Sequence, residues 1–197
     1  MALLLIIALF LLLCYALLML LYFTGLMIMK DEGQEDWHPQ QEVSLVIPFR
    51  NEVKHLHGII ADLLAQDYPA HLLSVLLVND HSTDGSREVV RSITEKLGHF
   101  ALLDLPAGKS GKKEAIAFAL SKISSSWVMQ TDADCRVGPG FISSHMSHQV
   151  LHSSDLVAGM VSTGQARGGF LEAFERLDLL ALNACGAGSF AVERPIM

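Results

Sequence analysis

The chain has 197 residues, 51% of them hydrophobic, and a formal net charge of −7. So acidic a balance speaks against non-specific nucleic-acid binding through a basic surface. The three cysteines (Cys14, Cys135 and Cys185) are too scattered for a disulfide framework or a C-x-x-C zinc pair, and fit reduced thiols facing the cytosol.

Residues 2–29, "ALLLIIALFLLLCYALLMLLYFTGLMIM", carry no charged side chain. That exceeds the roughly 20 residues needed to span a bilayer as a helix. A cleaved signal peptide has a shorter apolar core of about 7–15 residues, a basic start and a small-residue exit, and this run has none of the three. A transmembrane helix over 2–29 is therefore expected. Lys30 favours a cytosolic placement for the rest of the chain, against the acidic Asp31, Glu32, Glu35 and Asp36 beside it. Residues 30–42, "KDEGQEDWHPQQE", read as a polar linker broken by Gly33 and Pro39.

From residue 43 the pattern alternates. "VSLVIP" (43–48) reads as a buried strand, and Asn51 as a cap for a helix carrying Leu56, Ile59, Ile60, Leu63 and Leu64 at helical spacing. "LLSVLLVND" (72–80) is a second strand, followed by the turn "HSTDGS" and a helix with Val89, Val90, Ile93 and Leu97 on its apolar face. "FALLDL" (100–105) is a third strand, "PAGKSGKK" (106–113) a Gly- and Lys-rich loop, and 113–124 a helix. "SWVMQT" (126–131) is a fourth strand, ended by Asp132, and Pro139 opens a helix over 139–152. "DLVAGMV" (155–161) reads as a fifth strand, 168–184 as an amphipathic helix and "GSFAVE" (188–193) as a last strand.

Strands alternating with helices predict an α/β fold with a mostly parallel, helix-covered sheet. Ligands bind such sheets outside the carboxyl ends of the strands. Those ends carry Pro48, Arg50, Asn51 and Glu52, then Asn79 and Asp80, then Asp132 and Asp134. Two carboxylates two residues apart can serve one hard cation, although a lone D-x-D is a weak signal and a polar turn is its bland alternative. A calcium EF-hand loop is excluded because Val137 and Ser143 stand where its Gly and Glu belong. A phosphate-binding P-loop is excluded because Leu103 replaces its first Gly. Ser82, Thr83 and Asp84 are explained as capping residues; Asp80 is not.

Taken together, "VSLVIPFRNE", "VLLVNDHSTDGS", "GKSGKKEAI" and "WVMQTDADC", in this order and spacing, resemble the family 2 glycosyltransferases of the GT-A fold over about residues 43–197. With the N-terminal span, the chain looks like the membrane-anchored processive or polysaccharide-building branch, which implies a part in cell-envelope, polysaccharide or glycolipid synthesis. The resemblance implies a transferase that moves a sugar from a nucleotide-diphosphate sugar, UDP by family habit, to a lipid or glycan acceptor hydroxyl. It implies inversion and a divalent metal, Mn²⁺ or Mg²⁺. By the same resemblance Asp80 holds the nucleotide base, with Pro48, Arg50 and Glu52 lining its pocket. Asp132 lies near the ribose or metal, Asp134 on the metal, and Lys109 and Lys112 flank the sugar-nucleotide. The family's general base sits downstream of the "GAGSFAVER" block and is expected beyond Met197. Glu172 and Glu175 read instead as a solvated helix face, so the chain resembles the donor-binding front of a larger enzyme, with a sheet edge left exposed. A different reading is a non-catalytic or incomplete nucleotide-sugar-binding module. A nucleotidyltransferase is disfavoured because "PFRNEVKHLHG" is not a Gly-rich basic loop.

Overall fold

The computed structural model describes residues 1–28, 37–164 and 168–192. The chain divides into two compact units, one of Asp36–Val157 and one of Met1–Glu35 with Ala158–Met197.

The first of these units holds four strands, β1 (Val43–Phe49), β2 (Leu73–Asn79), β3 (Phe100–Asp104) and β4 (Trp127–Gln130). They form one all-parallel sheet in the order β3-β2-β1-β4. Four helices cover it: α2 (Val53–Leu64), α3 (Ser86–Thr94), α4 (Lys112–Leu120) and α5 (Phe141–His152). Side chains alternate across a strand, so β1 serves two cores at once. Val43, Leu45, Ile47 and Phe49 pack with Leu56, Ile59, Ile60 and Leu63 of α2, Val90 of α3, and Ile142 and Met146 of α5. Val46 and Val78 meet Ala115 and Ala119 of α4 on the other face. The small alanines let α4 lie close to the sheet. This double burial explains why β1 and β2 read as unbroken apolar runs. β4 is a four-residue edge strand with Val128 41% exposed.

Chain order reverses at β1, which has β2 on one side and β4, a later strand, on the other. In open α/β sheets such a reversal is where ligands bind, outside the carboxyl ends of the strands.

The second unit contains α1 (Ala2–Ile28) and α6 (Phe170–Ala191). At 1.5 Å per residue α1 is about 40 Å long, and it is long and apolar enough to cross a membrane. α6 packs along α1 at Tyr22 and Gly25, which are buried, as are Gly188 and Ser189. The approach is so close that a Cβ added at Gly188 would collide with the Tyr22 carbonyl.

Two expected strands are corrected. Residues 155–161 form none: among the described residues no strand pairs with them, and Leu156, Met160 and Val161 stay 58% or more exposed. An apolar run becomes a strand only where a neighbour accepts its backbone hydrogen bonds. Residues 188–191 continue α6 as a helix, because Gly188 lets the chain press its backbone on α1. A short apolar run does not by itself distinguish strand from helix. Glu193, the end of that expected strand, lies outside the described residues.

Candidate functional site

Pro48 determines where β1 and β4 part. β4 pairs with β1 as far as Val46 and Gln130, and the Thr131 N–H donates to the Val46 carbonyl at 3.4 Å. The next rung needs an N–H from residue 48, which proline lacks. The ladder ends there, and Asp132 leaves the sheet. On the other side β1 stays paired with β2 through Phe49, whose carbonyl accepts the Asp80 N–H at 2.9 Å.

Asp80 is only 5% exposed. Its Oδ2 accepts the Gly111 N–H at 2.8 Å and lies 3.4 Å from the Ser110 hydroxyl and 3.7 Å from Arg50 Nη1. Its Oδ1 is 3.0 Å from His81 Nδ1. Burial pushes this carboxyl up, but the hydrogen bonds from His81 and Gly111, the Arg50 charge and the Ser110 hydroxyl outweigh it and hold Asp80 below its ordinary value. Gly111 has φ +96°, a conformation that glycine adopts without strain, and this brings its N–H to Asp80. Arg50 also donates to Ser110 Oγ at 3.3 Å. The loops after β1, β2 and β3 thus meet at Asp80.

The first two of these loops knit further. Asn51 does not cap α2 with its own side chain; it sits at φ +57° and accepts the Thr83 N–H at 2.8 Å. Asp84 Oδ2 takes the Val53 N–H at 3.1 Å, and Ser86 Oγ takes the Glu52 N–H at 2.9 Å. The start of α2 is therefore capped from the neighbouring loop. The Glu52 carboxylate turns to His55 Nδ1 at 2.7 Å, along its own helix.

Across β1, Asp132 Oδ1 lies 2.6 Å from Lys112 Nζ, both side chains about half exposed. Lys109 pairs instead with Glu114, at 3.4 Å. Asp134 is exposed on a turn closed by the Cys135 N–H to the Asp132 carbonyl at 3.2 Å. Among the described residues no three His, Cys, Asp or Glu side chains converge as a metal cage. Two carboxylates two residues apart, with the buried Ala133 between them, fit a different kind of site, in which a hard cation takes one or two carboxylates and its remaining ligands from water and phosphate.

Sequence reasoning missed the brace behind this turn. Asp62 on α2 takes Arg136 in a bidentate pair at 2.6 and 2.7 Å, and the Val137 N–H at 3.1 Å. The Arg136 hydrogen bonds, with the Val137 N–H, outweigh burial and hold Asp62 below its ordinary value. Gln66 donates to the Gly138 carbonyl at 2.7 Å and accepts the Ile142 N–H at 3.1 Å. These contacts join residues more than 70 positions apart, and no local pattern signals them.

The comparisons agree with this architecture. The family model for glycosyl transferase family 2 matches residues 44–175. Glycosyltransferase AglE of Haloferax volcanii is 26% identical over 136 residues, which cover 69% of this chain and 44% of that protein. Among solved structures, mannosyltransferase PcManGT of Pyrobaculum calidifontis, in complex with GDP-Man and Mn²⁺, aligns with a TM-score of 0.61 at 22% identity, over 84% of this chain and 46% of that one. The S. aureus TarS 1-349 complex with UDP-GlcNAc aligns with a TM-score of 0.54 at 24% identity, over 65% of this chain and 37% of that one. The chain thus spans less than half the length of these relatives. With the family model covering most of its length, and with the parallel GT-A sheet beneath it, this chain belongs to glycosyl transferase family 2.

Proposed function

We infer that residues 43–197 belong to the donor-binding part of a glycosyltransferase that moves a sugar from a nucleotide-diphosphate sugar to an acceptor hydroxyl with inversion. One observation carries this: a buried, ionised Asp80 and the Lys112–Asp132 pair flank β1 at the strand ends where the chain order reverses. In this reading Asp80 accepts hydrogen bonds from the base, in a pocket walled by Pro48 and Arg50, and Glu52 borders it. Arg50 and Ser110 steady Asp80 from the open side. Lys109 and Lys112 bring positive charge toward the diphosphate.

Asp132 and Asp134 are the groups that would hold a divalent ion, Mn²⁺ or Mg²⁺, which stabilises the negative charge growing on a departing diphosphate. The GDP-Man and Mn²⁺ bound to PcManGT, and the UDP-GlcNAc bound to TarS 1-349, support a sugar-nucleotide donor with a metal. A UDP-sugar remains our choice of donor, and a lipid or glycan our choice of acceptor. Through α1 we place the protein in a membrane with one N-terminal span, followed by the linker 30–42 and a cytosolic donor domain serving envelope polysaccharide or glycolipid synthesis. The length and uncharged composition of α1 support that placement.

Calorimetric titration of the full chain in detergent micelles with UDP and with GDP, each with and without Mn²⁺, tests the reading. Metal-dependent binding that Asp134→Ala abolishes is expected. Binding that ignores both the metal and the substitution, or no binding to either nucleotide by folded protein, would overturn it.

A further inference from the structure

The three lysines of the Gly-rich stretch 106–113 differ in their partners. Lys109 is tied to Glu114, while Lys112 reaches Asp132 at 2.6 Å. Lys113 forms no ion pair among the described residues. Lys112 opens α4, where the helix dipole disfavours a cation, so Asp132 and not the helix stabilises its charge. The residue before it, Gly111, is the one whose N–H Asp80 holds at 2.8 Å. Two successive residues therefore join the proposed base pocket to the first carboxylate of the D-x-D pair.

We propose that Lys112 competes with the divalent cation for Asp132 and so makes cation binding depend on the nucleotide. The inference rests on the donor-site reading above. A cation arriving alone has to displace an ammonium already in contact with the carboxylate. A nucleoside diphosphate offers that ammonium another anion, so its arrival frees Asp132. Both partners are about half exposed, so the pair can open without disturbing the core. Cation and nucleotide then bind cooperatively, and each raises the affinity of the other by the same factor.

The test is Mn²⁺ titration of the full chain in micelles, with free Mn²⁺ read by electron paramagnetic resonance, alone and with UDP or GDP. Lys112→Met is compared with Lys113→Met, which removes the same charge one residue away. For an exposed ion pair, Lys112→Met is expected to strengthen binding of Mn²⁺ alone about threefold to fivefold over Lys113→Met. It is expected to shrink the nucleotide's enhancement of Mn²⁺ affinity by a similar factor. Equal behaviour of the two variants, with Mn²⁺ still lost in Asp134→Asn, would overturn the competition and leave the metal site standing. Mn²⁺ binding that is absent under every condition would overturn the metal site and this inference with it.

Discussion

Asp80 allows structure and binding to be separated by two substitutions. Asp80→Ala removes the acceptor that holds the Gly111 N–H at 2.8 Å. A hydrogen bond to a charged group contributes about 1.5–3 kcal/mol. The contacts to Ser110 at 3.4 Å and Arg50 at 3.7 Å are long, and the Arg50 side chain is exposed, so they add little; the 3.0 Å bond to His81, a half-exposed neighbour in sequence, is lost in Ala as well and falls within the same range. The substitution also relieves the desolvation of a buried carboxylate, which offsets part of the loss. A net destabilisation of about 2 kcal/mol follows for Asp80→Ala. Asp80→Asn keeps an oxygen for Gly111, and its cost falls to about 1 kcal/mol. Both remove the charge proposed to face the donor, and both should weaken nucleotide binding about tenfold, the equivalent of one charged hydrogen bond. Urea unfolding in micelles followed by Trp37 and Trp127 fluorescence gives the first quantity, and calorimetry the second. If Asn and Ala destabilise equally, the Gly111 anchor is not what Asp80 provides to the fold. If Asn retains full nucleotide affinity, Asp80 does not contact the donor.

Asp62→Ala removes the brace on Arg136 and Val137 behind the D-x-D turn, so it should lower Mn²⁺–nucleotide affinity severalfold while leaving metal-free nucleotide binding near wild type; unchanged Mn²⁺–nucleotide affinity in the calorimeter would show the turn to be held elsewhere. Asp104 accepts hydrogen bonds from both Arg87 nitrogens at 2.8 and 2.6 Å and from the Asn79 amide at 2.9 Å, which outweigh its burial, so Asp62, Asp80 and Asp104 are all held below their ordinary value of 3.8 and the folded state binds fewer protons than the unfolded one. Their stabilisation is complete above about pH 4 and is lost as pH falls through the lowered folded values; denaturation curves between pH 7 and pH 2.5 should show it, with a shallower loss in Asp104→Asn.

Much of the fold is legible in the residues. β1 and β2 are apolar on both faces and so declare a sheet covered on both sides, and the helices of the sheet unit begin within two residues of expectation. Asp80 is legible as well: a carboxylate at a strand end with no helix to cap calls for a partner. The sequence does not say who that partner is. Gly111 and Ser110 lie some 30 residues on, and only the pairing of β1, β2 and β3 brings their loop to Asp80.

The failures have one cause. Residues 155–161 and 188–191 are apolar enough for strands, but an apolar run states only that it must be covered, and not by what. A close helix neighbour decided the second run, and the lack of an adjacent strand the first. The Asp62–Arg136 brace and the division of Lys109 and Lys112 between Glu114 and Asp132 are likewise tertiary facts. The sequence by itself determined the apolar span, the strand–helix alternation and the polar strand ends, because burial and periodicity are local properties of the chain. The tertiary structure alone decided strand order, the point at which that order reverses, and which carboxylate meets which cation, because each depends on residues that only folding brings together.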